Sequence, residues 1–126
     1  MRNLIRIFAL SGVLLAYSAA NSHGLTEPQH GGVLTTSGDW TFELLDTADG
    51  VKVYLFNDTV PFDTAGMKAK IKIDHLSSSI DVALEPAGEN TLVAKDLDIG
   101  KGATVLVVVT LSDGYSKVGG RFNSFE

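Results

Sequence analysis

The chain of 126 residues contains no cysteine, which excludes disulfides, thiolate metal ligands, thiol catalysis and a lipid-bearing cysteine. Methionine is almost as scarce: besides Met1 there is only Met67, so a methionine-rich Cu(I) site is excluded and Met67 is interpreted as packing. The sequence also lacks a G-x-S-x-G nucleophile motif, a phosphate-binding glycine loop and a helical H-E-x-x-H pattern. It therefore predicts that the protein is not an enzyme.

The sequence also lacks an apolar run long enough to span a bilayer. The longest at the amino end, Ile7–Tyr17, has 11 residues, whereas a membrane helix needs about 20. Arg2 and Arg6 precede this run and small residues follow it, which is typical of a secretory signal peptide. Residues 1–20 are predicted to be removed after Ala20, with cleavage after Ser22 as the alternative. The protein is therefore expected in the periplasm, without a membrane anchor.

The charge of the processed chain is acidic. Removing residues 1–20 removes two arginines and leaves 106 residues with 8 basic and 15 acidic side chains, a net charge of −7 with neutral histidines. Nucleic acid and anionic membranes are poor partners for such a chain. Its length fits one domain, with residues 21–29 as a polar leader and residues 30–126 as the folded part.

No sustained helical period occurs in the processed chain, and short apolar runs alternate with polar residues instead. The runs Trp40–Leu44 and Val51–Leu55 predict a hairpin, and Met67–His75 predicts a strand with one core face and one lysine-rich water face. The nearly continuous apolar run Ala103–Leu111 predicts a strand buried on both faces, and Gly119 with Gly120 predicts a bulge or bend. The predicted fold is an all-β, antiparallel, immunoglobulin-like β-sandwich of about seven or eight strands.

Candidate metal ligands lie at the predicted new amino terminus. If cleavage follows Ala20, the chain begins Asn21-Ser22-His23, and its amine, two backbone amides and the His23 imidazole can form the square-planar nitrogen site that suits Cu(II) or Ni(II). If cleavage follows Ser22, the amine and imidazole of His23 chelate the metal, with His30 as a third nitrogen. Chance placement of a histidine near the junction is the equally weighted alternative.

The other two histidines have structural as well as metal-binding interpretations. His30 precedes Gly31 and Gly32 where the first strand begins, which predicts either a fixed imidazole at the edge of the domain or a turn whose histidine ring bonds a backbone carbonyl. Seven residues separate His30 from His23, at most about 23 Å of extended chain, and Gly24 and Pro28 allow a fold-back. His75, at a strand end, is expected to be partly buried and hydrogen-bonded, and is a distant reserve as a ligand.

Several segments together carry a resemblance to a known group of proteins. They are PQHGG, DWTFELL, VKVYLFND, PFDTAGMKAKI, VALEPAGENTLVA and ATVLVVVTLSDGYSKVGGRF. From Pro28 to Phe122 the chain resembles small exported bacterial domains with a P-x-H-G-G motif, similar to segments attached to periplasmic adaptor subunits of heavy-metal efflux systems. The resemblance implies a periplasmic β-sandwich associated with metal, especially copper, with His30 at the motif position and no established enzyme activity. The chain has no methionine cluster, which leaves Cu(II), Ni(II) or Zn(II) as candidates.

Two functional hypotheses follow. The first is a periplasmic metal-binding or metal-handling domain, with Cu(II) favoured and an envelope efflux component as a possible partner. The second is a non-catalytic interaction module that docks on another envelope protein and has no metal of its own.

Overall fold

The computed structural model describes residues 24–125, and within them every regular element is a β-strand. The predicted signal peptide and the positions Asn21 and His23 lie outside the described residues. The strands are β1 (Val33–Ser37), β2 (Trp40–Thr47), β3 (Gly50–Asn57), β4 (Val60–Pro61), β5 (Lys68–His75), β6 (Ser78–Pro86), β7 (Thr91–Lys95), β8 (Thr104–Thr110) and β9 (Lys117–Phe122). Across the same range, no helix is long and apolar enough to cross a membrane.

All strand pairs are antiparallel and belong to one continuous sheet, in the order β1-β2-β3-β7-β6-β5-β8-β9, with β4 paired to β3. The predicted all-β antiparallel class is therefore confirmed. The two end strands of the sheet, β1 and β9, lie close together: the hydroxyl of Thr35 in β1 donates to the carbonyl of Arg121 in β9 at 2.8 Å. The sheet is thus nearly closed into a barrel.

The strand β6 connects the two halves of the sheet. Ser78 to Leu84 pair with β5, while Glu85 and Pro86 pair with β7. A strand that pairs with different neighbours along its length carries the ladder from one half to the other, which is why the halves form one sheet.

One core fills the interior, and the alternation of apolar residues explains which faces form it. In β5, Ala69, Ile71 and Ile73 are buried and the intervening lysines are exposed, as predicted. The predicted β2–β3 hairpin is also confirmed, with Thr47 opposite Gly50 across a two-residue turn. Met67 is buried at 4% exposure and packs in the core.

The prediction that β8 is buried on both faces is wrong. The strand β8 is fully buried on one face only: Val105, Val107 and Val109 are at 0% exposure, whereas Leu106 and Val108 on the other face are half-buried. That second face is on the outer side of the sheet, where Val108 lies opposite the exposed Lys70 of β5.

The glycines of β9 form no bulge, because the register between β8 and β9 is unbroken from Val105↔Phe122 to Thr110↔Lys117. The reason for a glycine at position 120 is space. A Cβ there would lie 2.5 Å from Cδ1 of Phe42 and 2.8 Å from Cγ2 of Thr35. Gly120 therefore allows β9 to approach β1 and β2 where the sheet nearly closes.

Candidate functional site

The segment of residues 24–32, here called the N-terminal segment, lies on the outer face of β1 and β2. Its first described residue, Gly24, is so close to this face that a Cβ would meet Oγ1 of Thr36 at 2.6 Å. The backbone N–H of Leu25 donates to Oγ1 of Thr41 at 3.3 Å. Side chains of β1 and β2 that alternation would place in water are therefore covered by the chain itself.

The buried carboxylate of Glu43 fixes the middle of the N-terminal segment. Glu43 is at 0% exposure and accepts three backbone N–H donors: Gln29 to Oε1 at 3.1 Å, His30 to Oε2 at 2.7 Å and Gly32 to Oε2 at 2.9 Å. A carboxylate removed from water is tolerated when such charge-assisted hydrogen bonds replace its hydration. Glu43 thus determines the backbone path of the motif that contains His30.

The two glycines after His30 are required by this path. Gly31 has a φ of 79°, in the left-handed region that glycine adopts without steric cost. Gly32 has no room for a side chain, since a Cβ would lie 2.5 Å from the carbonyl oxygen of Leu44. The H-G-G sequence is therefore explained by one backbone turn and one close contact, both next to the carboxylate of Glu43.

The side chain of His30 is exposed and rests on an aromatic ring. Its imidazole stacks on Tyr54 of β3, with 3.6 Å between ring centroids and 10° between ring planes. Tyr54 is the cross-strand partner of Glu43, so adjacent side chains on neighbouring strands fix the backbone and the ring of the same histidine. Stacking engages a face of the imidazole, so the nitrogens at its edge are not engaged by Tyr54.

An open surface groove adjoins His30. It is lined by Gln29, His30, Phe56, Pro61, Asp63, Glu89 and Asn90. The groove thus combines one imidazole and two carboxylates with an aromatic ring. Within residues 24–125, however, no group of three or more His, Asp or Glu side chains is arranged to hold a metal ion. At this groove the described part of the chain presents one exposed imidazole, oriented by its stacking on Tyr54.

Between Leu25 and His30 the N-terminal segment follows the outer face of β2. Leu25 bonds to Thr41 and His30 bonds to Glu43, and these two acceptors are alternate residues of β2, about 7 Å apart along a strand. The chain therefore makes only a short net advance between Gly24 and His30. The candidate ligands Asn21 and His23 precede Gly24 and lie outside the described residues.

His75 belongs to another part of the surface and has the environment predicted for it. It is half-buried at the end of β5, and its Nε2 lies 3.1 Å from the carbonyl oxygen of Lys101. Its ring covers Gly100, where a Cβ would lie 2.8 Å from Nδ1. The structural interpretation of His75 as a partly buried, hydrogen-bonded residue is confirmed.

Sequence reasoning missed Glu43 and Tyr54, the two residues that support His30. Alternation in β2 places Glu43 on the water face, where a glutamate needs no explanation. A signal did exist: residues 29–32 carry backbone donors next to a strand, and such donors require an acceptor. The pattern gave no means of identifying which side chain supplies it. The ring of His30 contacts Tyr54, whereas the turn interpretation had expected a backbone carbonyl.

Comparisons of the chain with protein-family models, with curated proteins and with solved structures found no match.

Proposed function

We propose that this protein is an exported, periplasmic metal-binding or metal-handling domain, with Cu(II) as the favoured metal and a role in metal homeostasis or efflux. The observation that carries the proposal is the support of His30. Its backbone is bonded to the buried Glu43, its ring stacks on Tyr54, and its side chain nevertheless remains exposed. Holding one imidazole in a fixed orientation at the surface lowers the entropy lost when it binds a ligand.

The remaining ligands in this proposal come from the processed amino terminus. After cleavage behind Ala20, the amine and amides of Asn21-Ser22-His23 and the His23 imidazole supply nitrogens for Cu(II). His23 directly precedes Gly24, and Gly24 is anchored on the same outer face as His30. Cleavage after Ser22 makes His23 the terminal residue, and His30 then supplies the third nitrogen ligand. In either case His75 is only a reserve ligand, because its Nε2 already contacts a carbonyl.

The location, the partner and the finer description of the fold belong to the same proposal. Export rests on the signal-peptide pattern, and an efflux component as partner rests on the resemblance of the P-x-H-G-G motif. The immunoglobulin-like sandwich is supported by the way both halves of the sheet contribute to one core, Phe42 and Val53 from one half and Ile71 and Val107 from the other.

The test is a Cu(II) titration of the protein purified from its native envelope, after intact mass has fixed the cleavage site. We expect a visible absorption band at one equivalent, lost in His23→Ala and weakened in His30→Ala. The matched control is His75→Ala, which removes the third histidine and should leave the titration unchanged. A wild type without the band, or a band that survives both His23→Ala and His30→Ala, would overturn the proposal.

A second candidate function is a non-catalytic interaction module without its own metal. It is favoured by exposed apolar side chains at β4 and just after it, Val60 at 61% and Phe62 at 39%, since exposed apolar patches often mark contacts between proteins. A pull-down from the envelope, with and without chelator, tests it. Recovery of the same partner in both samples, and its loss in Val60→Ser, supports this function, whereas recovery that requires metal contradicts it.

A further inference from the structure

Although the chain has a net negative charge, one half of the sheet has a basic outer face. Of the eight lysines and arginines in residues 24–125, five are exposed on the outer side of β5 and β9, and they are called the basic face here: Lys68, Lys70, Lys72, Lys117 and Arg121. Three carboxylates share this side, while the rest of the described chain carries eleven carboxylates and three cations. The basic face therefore has five cations against three carboxylates, although the chain as a whole is acidic.

Strand register arranges the basic face as two rows with an uncharged strip between them. Lys68 faces Thr110, which faces Lys117, and Lys72 faces Leu106, which faces Arg121. Neighbouring strands are about 4.8 Å apart, so the two rows are separated by about 10 Å. Within β5, the alternate lysines repeat every 7 Å or so, the period of any extended chain.

An open groove of about 460 Å³ lies at the Lys68 end of the strip and extends across β5 to Ala83 and Leu84 of β6. Val108 and Thr110 of β8 form part of its lining, together with Lys68, Lys70 and Lys117. Glu85 also lines it. The floor is therefore partly apolar and the sides are largely cationic, which suits a ligand with both aliphatic and anionic groups.

Most of these cations have no carboxylate opposite them in the sheet. Lys70 lies between Ala83 and Val108, and the partner of Lys117 is Thr110. Lys72 is the exception, since it pairs with Asp81. Cations with neutral neighbours are available to pair with charges on another molecule.

We propose that the basic face binds an extended acidic segment of another protein, with carboxylates at alternate positions and aliphatic side chains over Leu106 and Val108. Charge complementarity selects an anion, and the repeat of the lysines matches alternate residues of an extended peptide. A strip about 10 Å wide fits one extended chain, whereas a flat anionic membrane that covered the whole face would also meet the carboxylates of Asp81 and Glu85 on it. The segment before Gly24 is not the occupant, because residues 1–23 contain two arginines and no carboxylate.

The test uses the processed protein and a fluorescein-labelled peptide of about six Glu-Val repeats, followed by fluorescence anisotropy at low and high salt. We expect saturable binding that weakens as salt rises. The double variant Lys70→Gln with Lys117→Gln should bind about tenfold more weakly, the effect of losing two exposed ion pairs. The matched control, Lys52→Gln with Lys95→Gln, makes the same charge change outside the basic face and should bind as wild type does.

Several results would overturn the proposal. One is equal binding of a Gln-Val peptide, and another is an equal loss in the two double variants. Phosphatidylglycerol vesicles bound through Lys70 and Lys117 in the absence of peptide binding would assign the face to membrane. Concentration-dependent dimerisation that is lost in the Lys70→Gln, Lys117→Gln variant would assign it to a second copy of the chain. None of these measurements involves metal, so they are independent of the copper titration.

Discussion

Glu43 connects a buried charge in β2 to the position of an exposed histidine. We expect Glu43→Gln to lower the free energy of unfolding by about 2–3 kcal/mol, because the amide that replaces one oxygen is a donor facing backbone donors. Urea unfolding monitored by tryptophan fluorescence measures the loss. Glu27→Gln is the matched control, since Glu27 is exposed, and it should change stability by less than about 0.5 kcal/mol. Equal stability of the two variants would contradict this account of Glu43.

Asp113 is the residue whose environment changes its titration. The hydroxyl of Ser116, followed by the backbone N–H groups of Ser116 and Tyr115, donates to this carboxylate and lowers the pKa of Asp113 below its ordinary value of 3.8. Because the folded pKa is depressed, these bonds favour the turn fully above pH 3.8 and are lost as the pH falls through the folded pKa.

An NMR titration of the Ser116 amide is expected to give a midpoint below 3.8. Ser116→Ala removes the hydroxyl donor and should move that midpoint upward. A midpoint at or above 3.8 in the wild type, or no movement in the variant, would contradict the assigned cause.

The turn between β5 and β6 shows strain within a single element. His75 and Ser78 are paired, so Leu76 and Ser77 form a two-residue turn, and Leu76 has a φ of 56° and is 94% exposed. A leucine gains nothing from burial there and is sterically disfavoured in the left-handed region, which asparagine accepts more readily.

We expect Leu76→Asn to raise the free energy of unfolding by about 0.5–1 kcal/mol, measured by thermal unfolding. Tyr115→Asn is the control, because Tyr115 is also exposed, at 73%, and has no positive φ. A stabilisation of similar size in both variants would show that removal of an exposed apolar side chain, and not turn geometry, is responsible.

Comparison of elements shows which features the sequence pattern could predict. The alternation of apolar and polar residues correctly predicted the two faces of β5 and the β2–β3 hairpin, since both depend on residues close in sequence. It did not give the half-covered face of β8 or the contact of Gly120 with Phe42, because these depend on which strands become neighbours. His30 was identified from its motif, whereas Glu43 and Tyr54 are 13 and 24 positions away, and only folding brings them to it.

At the scale of the whole molecule, near-closure of the sheet depends on the absence of a side chain at Gly120. Gly120→Ala would place a methyl group against the buried ring of Phe42 and the methyl of Thr35, and we expect a loss of about 2 kcal/mol in stability. Gly119→Ala in the same strand is the control, because its nearest contact is 3.3 Å away at the carbonyl of Val107. Urea unfolding should rank the variants in that order, and a larger loss in Gly119→Ala would contradict the steric explanation.

The contact between β1 and β9 also has a consequence for the order of folding. Thr35 and Arg121 are separated by 86 positions. The two ends of the sheet can therefore meet only after most of the chain between them has become ordered. Contacts between such distant positions carry a loop-closure cost before they contribute stability, and folds dominated by them form slowly. The hairpin that supports His30 is local and can form early, but the interior behind it is sealed only when the last strand arrives.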